Sequence, residues 1–152
     1  ATNAGAEPVL DRAWIAAHIP HQGKMCLLHE VVDWSEQSIV CRAISHTTGD
    51  NPLRAHGRLG VSAGIEYAAQ AMAVHGALLA NAQAEPRQGY LTSVRGVTLH
   101  VDRLDNLLAA LQIRAERLSG DSQLILYQFT LHHEEQCLIE GRATVVLDAQ
   151  QF

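Results

Sequence analysis

Glu66 is the residue whose type and setting point most directly to chemistry. It lies in residues 61–80, VSAGIEYAAQAMAVHGALLA, a stretch apolar almost all the way round that holds no lysine or arginine. Such a stretch reads as a helix enclosed by other structure rather than one laid on a surface. A carboxylate buried there costs several kcal/mol unless it is paired or protonated. Ser62 reads as the N-cap, which places Glu66 near the positive end of the helix dipole. Burial disfavours the carboxylate charge and the helix terminus favours it, a balance suited to a general acid or base. Gln70 falls one turn further on the same face, where its amide can orient the carboxylate or touch a substrate. A glutamate at a helix start can also simply stabilise the dipole from a solvated edge. The aperiodic stretch directly upstream, residues 46–60, favours the functional reading, because loops of that length in compact domains usually carry function or move.

The elements that must position this residue follow from periodicity. Residues 10–19 read as a short amphipathic helix stopped by Pro20, with Trp14 as a packing residue. A turn at 20–23 leads to an extended segment at 25–34 and a strand at 38–45. After the long helix, residues 81–88 are polar and form a connector. Strands follow at 90–101, with an irregularity at Gly96, and at 108–118, 123–133 and 137–147, with Ser119-Gly120-Asp121 as a hairpin signal. Many positions of the long helix are Ala or Gly, so neighbouring backbone can approach closely. No internal repeat or linker divides the chain, so one domain over 1–152 is expected, with 1–8 as an unstructured tail. The order predicts an α+β fold, an antiparallel sheet curled around one helix.

Composition narrows the functions. The 152 residues carry a net charge of −5, and the 11 basic residues are scattered. No run attracts a phosphate backbone or an anionic bilayer, so neither nucleic acid nor membrane is an expected partner. For an acidic protein partner, Arg54, Arg58, Arg95 and Arg103 are the candidate basic patch. The three cysteines are far apart with no CxxC pair, which argues against a zinc site and against a disulfide framework. Free thiols fit a reducing, cytoplasmic setting. His residues show no metal-ligand spacing; His75 reads as a satisfied core histidine and His21 as a turn residue. No nucleophile elbow, phosphate loop or dinucleotide fingerprint occurs.

HIPHQGKMCLLHEVVDW, then a Gly-containing loop, then GIEYAAQAMA, resembles the hotdog-fold 3-hydroxyacyl-acyl-carrier-protein dehydratases. Within that family the likeness is to the branch of aryl-polyene and related polyketide or fatty-acid clusters, and QGYLTSVRGVTLHVDRLDNLLAALQIRAER extends it over most of the chain. The resemblance implies a hotdog fold in which two subunits pair edge to edge, a loop from one and the helix from the other forming each site. It implies a loop His that removes the α-proton and a helical carboxylate that protonates the leaving hydroxyl. Glu66 matches the carboxylate. Asn51 stands where the His is expected, and an amide cannot take up a proton near neutral pH. His46 and His56 flank it as substitute bases.

The resemblance further assigns the thioester carbonyl to backbone N–H groups over Val61 to Gly64, so Ser62, Ala63 and Gly64 are expected to bind substrate, with Gly89 lining the same tunnel. It implies elimination of water from a 3-hydroxyacyl-ACP or -CoA thioester, no cofactor, and an acyl carrier protein as partner. A homodimer or higher oligomer is expected. Two alternatives share the fold: an acyl thioesterase in which Glu66 activates water, or a catalytically degraded subunit forming a heterodimer with an active dehydratase.

Overall fold

The computed structural model describes residues 10–19, 23–83, 87–121 and 123–149. Strand β1 (Leu10–Asp11) precedes helix α1 (Arg12–His18), then a 3-10 turn (Gly23–Met25), β2 (Glu30–Trp34) and β3 (Ser38–Ala43). Two further 3-10 turns, Ser45–Thr47 and Val61–Ala63, bracket the long loop, and helix α2 (Gly64–Gln83) follows. The chain closes with β4 (Arg87–Leu99), β5 (Leu111–Gly120), β6 (Leu124–His133) and β7 (Gln136–Ala149). The strands form one seven-stranded sheet in the order β1-β2-β3-β5-β6-β7-β4, every pairing antiparallel.

Period-two burial explains why the sheet wraps the helix. Ile39, Cys41 and Ala43 of β3, Leu111, Ile113 and Ala115 of β5, and Ile125, Tyr127, Phe129 and Leu131 of β6 are all buried, alternating with more exposed neighbours. They meet Tyr67, Ala68, Ala71, Met72, Val74 and Leu78 of α2. Glycine permits the tightest contact. A Cβ at Gly64 would lie 3.1 Å from Leu131 Cδ2 and 3.2 Å from Ile139 Cγ2, so a side chain there would force both neighbours to give by a few tenths of an ångström.

Local chemistry sets the element ends. Asp11 caps α1 by accepting the Trp14 N–H at 3.0 Å, which leaves Leu10 and Asp11 to pair with β2 instead of extending the helix. Pro20 and the turn expected at 20–23 lie outside the described residues, apart from Gly23. Residues 26–29 are extended but are not a strand; Cys26, Leu27 and Leu28 are consecutively buried, which alternation forbids. Helix α2 starts through a 3-10 turn capped by Gly60 and runs on to Gln83. Ser62 is therefore not its N-cap: it lies inside that turn and is exposed. The irregularity at Gly96 is present, with φ +58° and a register shift between Arg95 and Thr98.

The expectation of a fully enclosed helix holds on one side only. Ala69, Ala73, Gly76, Ala77 and Ala80 stay half-buried, in line with Glu66 at helical spacing. Among the described residues, and apart from the helix's own neighbouring backbone, nothing comes within 4 Å of where a Gly76 Cβ would be. Among the described residues strand β4 pairs with β7 alone and leaves its other edge open, with Leu91 and Leu99 exposed. Among the described residues no helix is long and apolar enough to cross a membrane.

Candidate active site

Helix α2 presents two chemically different faces. Glu66, in its first turn, is half-buried at the head of the small-residue face. Tyr67 and Gln70, on the inner face, are fully buried and spend their polar atoms on the chain that crosses them. Gln70 Oε1 accepts the Leu27 N–H at 2.9 Å and Nε2 donates to the Met25 carbonyl at 2.6 Å. Its amide thus ties the extended 26–29 segment to α2, a different role from the orienting or substrate contact that spacing alone suggested.

The loop is held the same way. Ser45 Oγ donates to the Leu27 carbonyl at 2.8 Å, so the 2.8 Å contact with Tyr67 is made by the phenol O–H donating to Ser45 Oγ. Asn51 is 5% exposed. Its Nδ2 donates to the Ser45 carbonyl at 2.9 Å and to the Tyr67 oxygen at 3.1 Å, and its Oδ1 accepts the Leu53 N–H at 2.8 Å. Both amide protons are spent. Asn51 locks the loop rather than offering a base, and burial pushes the Tyr67 phenol above its usual range despite these bonds. Neither Tyr67 nor Ser45 stood out in the sequence, because their partners are 16 and 22 residues away along the chain.

His46 and His56 are separated by the fold. His46 is buried, and its Nε2–H donates to the Leu107 carbonyl at 2.8 Å, while among the described residues its buried Nδ1 meets no hydrogen-bond partner of good geometry. His56 is exposed at φ +55° in a tight turn with Gly57, closed by a bridge between Ala55 and Arg58.

The far end of the loop is clamped by Asp105, which accepts the Leu59 N–H at 3.1 Å and a two-pronged bond from Arg103 at 2.9 and 2.7 Å. Arg54 stands 3.7 Å away. The Arg103 guanidinium holds the Asp105 carboxyl well below the usual carboxylate range. Two of the four expected patch arginines, Arg54 and Arg103, thereby share one carboxylate within the chain.

The expected carbonyl anchor is largely occupied by the helix start. Val61 N–H donates to Asp102 O at 3.0 Å, Ala63 N–H to Gly60 O at 3.1 Å, and Gly64 N–H to the Ser62 and Val61 carbonyls. Gly89 lies in β4 opposite Leu147. Two open clefts, of about 360 and 440 Å³, lie elsewhere. One is lined by Glu36, Gln37, Leu79 and residues 117–120, the other by Arg95, Gly96, Thr98, Gln128 and residues 140–142.

His75 is the satisfied core histidine its setting suggested. Its Nδ1 accepts from the Tyr127 hydroxyl at 2.7 Å and its Nε2–H donates to the Ser35 carbonyl at 2.8 Å. Burial is the main reason that both His46 and His75 are held below their ordinary value of 6.5. The unfolded imidazoles then take up protons at a higher pH than the folded ones. Stability from these two groups is complete above about pH 6.5 and is lost as the pH falls through the depressed folded values. Urea unfolding at about pH 7.5 and pH 5.5 is expected to show the lower stability at pH 5.5. Equal or greater stability at the acid end would contradict the assignment of both rings as neutral.

The profile of the ApeP-like family, ApeP dehydratase, matches residues 13–152. No curated protein matches the chain. Among solved structures the chain is similar to the dehydratase heterocomplex ApeI:P from Xenorhabdus doucetiae, with 22% identity over 90% of this chain and 91% of that one, TM-score 0.77. It is similar to a thioesterase from Haemophilus influenzae, with 13% identity over 81% and 80%, TM-score 0.61. A mutant thioesterase from Pseudomonas aeruginosa is similar at 12% identity over 90% and 93%, TM-score 0.66. These likenesses identify the hotdog fold, and the match over nearly the whole length carries the rest: the chain belongs to the ApeP-like dehydratase family.

Proposed function

We propose that this chain is the acid-bearing half of a two-chain dehydratase that converts a 3-hydroxyacyl thioester, carried on acyl carrier protein or coenzyme A, to the trans-2-enoyl thioester. One observation carries this reading. Asn51, at the position of the base, is buried with both amide protons committed to Ser45 and Tyr67, while Glu66 sits half-buried at the head of the half-buried small-residue face of α2.

The chemistry divides between two subunits. A loop His of the partner takes the α-proton, and the electron pair moves to the thioester carbonyl. Glu66, in its acid form, protonates the 3-hydroxyl; the C–O bond breaks, water leaves and the C2–C3 double bond forms. The positive end of α2 favours the negative charge that develops beside it. The proton gained by the base returns to Glu66 through solvent, so the cycle balances with no cofactor.

Two features support a partner chain. The open edge of β4 is a template for strand pairing, and the small-residue face of α2 that begins at Glu66 stays only half-buried. The relative from Xenorhabdus doucetiae is itself a dehydratase heterocomplex.

The test is to assay the purified chain alone and mixed with a hotdog dehydratase chain that keeps its loop His, using 3-hydroxyacyl-ACP and -CoA. The expected result is a stable mixed complex that forms enoyl thioester, with the chain alone inactive. Turnover by the chain alone would overturn the division of labour and place the base on His46 or His56. Release of free thiol without enoyl product would identify a thioesterase, and failure to associate would remove the reading altogether.

A further inference from the structure

The sequence spacing shows no metal motif, yet the fold gathers one. His100, Cys137 and Glu140 each bring one ligand atom into a cluster in which all three lie within 4.8 Å of one another. Cys137 and Glu140 are three residues apart, and in a regular strand they would face opposite sides of the sheet. A bulge brings them to one side. Leu131 pairs with Ile139 but the next residue, His132, pairs with Cys137, so Leu138 is an extra residue in β7. Leu138 and Ile139 are both fully buried, which turns Cys137 and Glu140 together to the outer face.

His100, just past the end of β4, is fixed to that bulge. Its N–H donates to the carbonyl of Leu138 at 2.9 Å, and its Nε2 lies 2.9 Å from Glu140 Oε2. Cys137 is half-buried and its thiol faces the Ile139 carbonyl at 3.8 Å.

We propose that His100, Cys137 and Glu140 form a binding site for a borderline-soft divalent transition metal of the zinc class. An imidazole nitrogen, a thiolate and a carboxylate are the donors such ions select, whereas magnesium and calcium prefer all-oxygen sets. On binding, the thiol gives its proton to solvent, and the two anionic ligands neutralise the ion's charge. A tetrahedral ion has one further position, which falls to water or to His132, opposite Cys137 in the β6–β7 register. The ion clasps the end of edge strand β4 to the β6–β7 hairpin. Ile139, between the two β7 ligands, packs on the inner face against Gly64 at the head of α2.

Titrating the full chain with cobalt(II) chloride tests this. The expected result is one cobalt per chain, with tetrahedral visible bands and a near-ultraviolet thiolate-to-cobalt band that zinc abolishes. Cys137→Ser is expected to lose the thiolate band. His100→Ala and Glu140→Gln, both at solvent-facing positions, are expected to weaken binding about tenfold or more. Absence of the thiolate band under excess cobalt would overturn the proposal. So would a band retained in Cys137→Ser, or affinity unchanged in both of the other variants.

Discussion

In the mixed complex, Glu66→Gln lowers enoyl-thioester formation roughly 100- to 10,000-fold, the usual loss when a positioned acid is removed. The amide keeps the shape of the side chain but cannot deliver a proton to the departing hydroxyl. Glu66 is half-buried in the first turn of α2, so folding and association are expected to survive the change. The informative control is the partner's own helical acid. On the two-chain reading that acid is set opposite Asn51, whose amide cannot take up a proton, so its replacement is expected to leave the rate nearly unchanged. The outcome that defeats this arrangement is the reverse pattern: activity kept in Glu66→Gln and lost when the partner's acid is removed.

Gln70→Leu is expected to destabilise the chain by about 2–4 kcal/mol, because it leaves the Leu27 N–H and the Met25 carbonyl without their partner. For a chain of this length that corresponds to a melting temperature lower by roughly 5–15 °C. Leucine fits the buried site approximately by volume, so the loss comes from unpaired polar groups rather than from a cavity. Thermal unfolding of the purified chain checks it. A normal melting temperature combined with a raised KM in the complex would return Gln70 to substrate binding.

Those two residues, one helical turn apart, mark the boundary of what the sequence revealed. A continuous apolar run located α2, and alternation located β3 and the later strands, because burial against a neighbouring layer is written in the residues themselves. Glu66 stood out for the same reason, as a charge in an apolar stretch. Gln70 sits in the same stretch, but its partners lie 43 and 45 residues away, and no local pattern encodes them. His46 is a similar case: its place on the loop suggested a substitute base, whereas the fold buries it and commits its Nε2–H to the Leu107 carbonyl. The cluster of His100 with Cys137 and Glu140 depends on a one-residue slip between β6 and β7, which alternation alone cannot announce.

The Asn51 interlock also constrains what a histidine at that position could do. A neutral imidazole has one N–H, whereas position 51 donates twice, to Ser45 and to Tyr67, while also accepting from Leu53. Reintroducing histidine by itself would leave at least one of those groups stranded, or would hold the ring against them and away from any acyl chain. On the two-chain reading, a working base at position 51 therefore needs a second change, at Ser45 or Tyr67, to release the groups that Asn51 now binds.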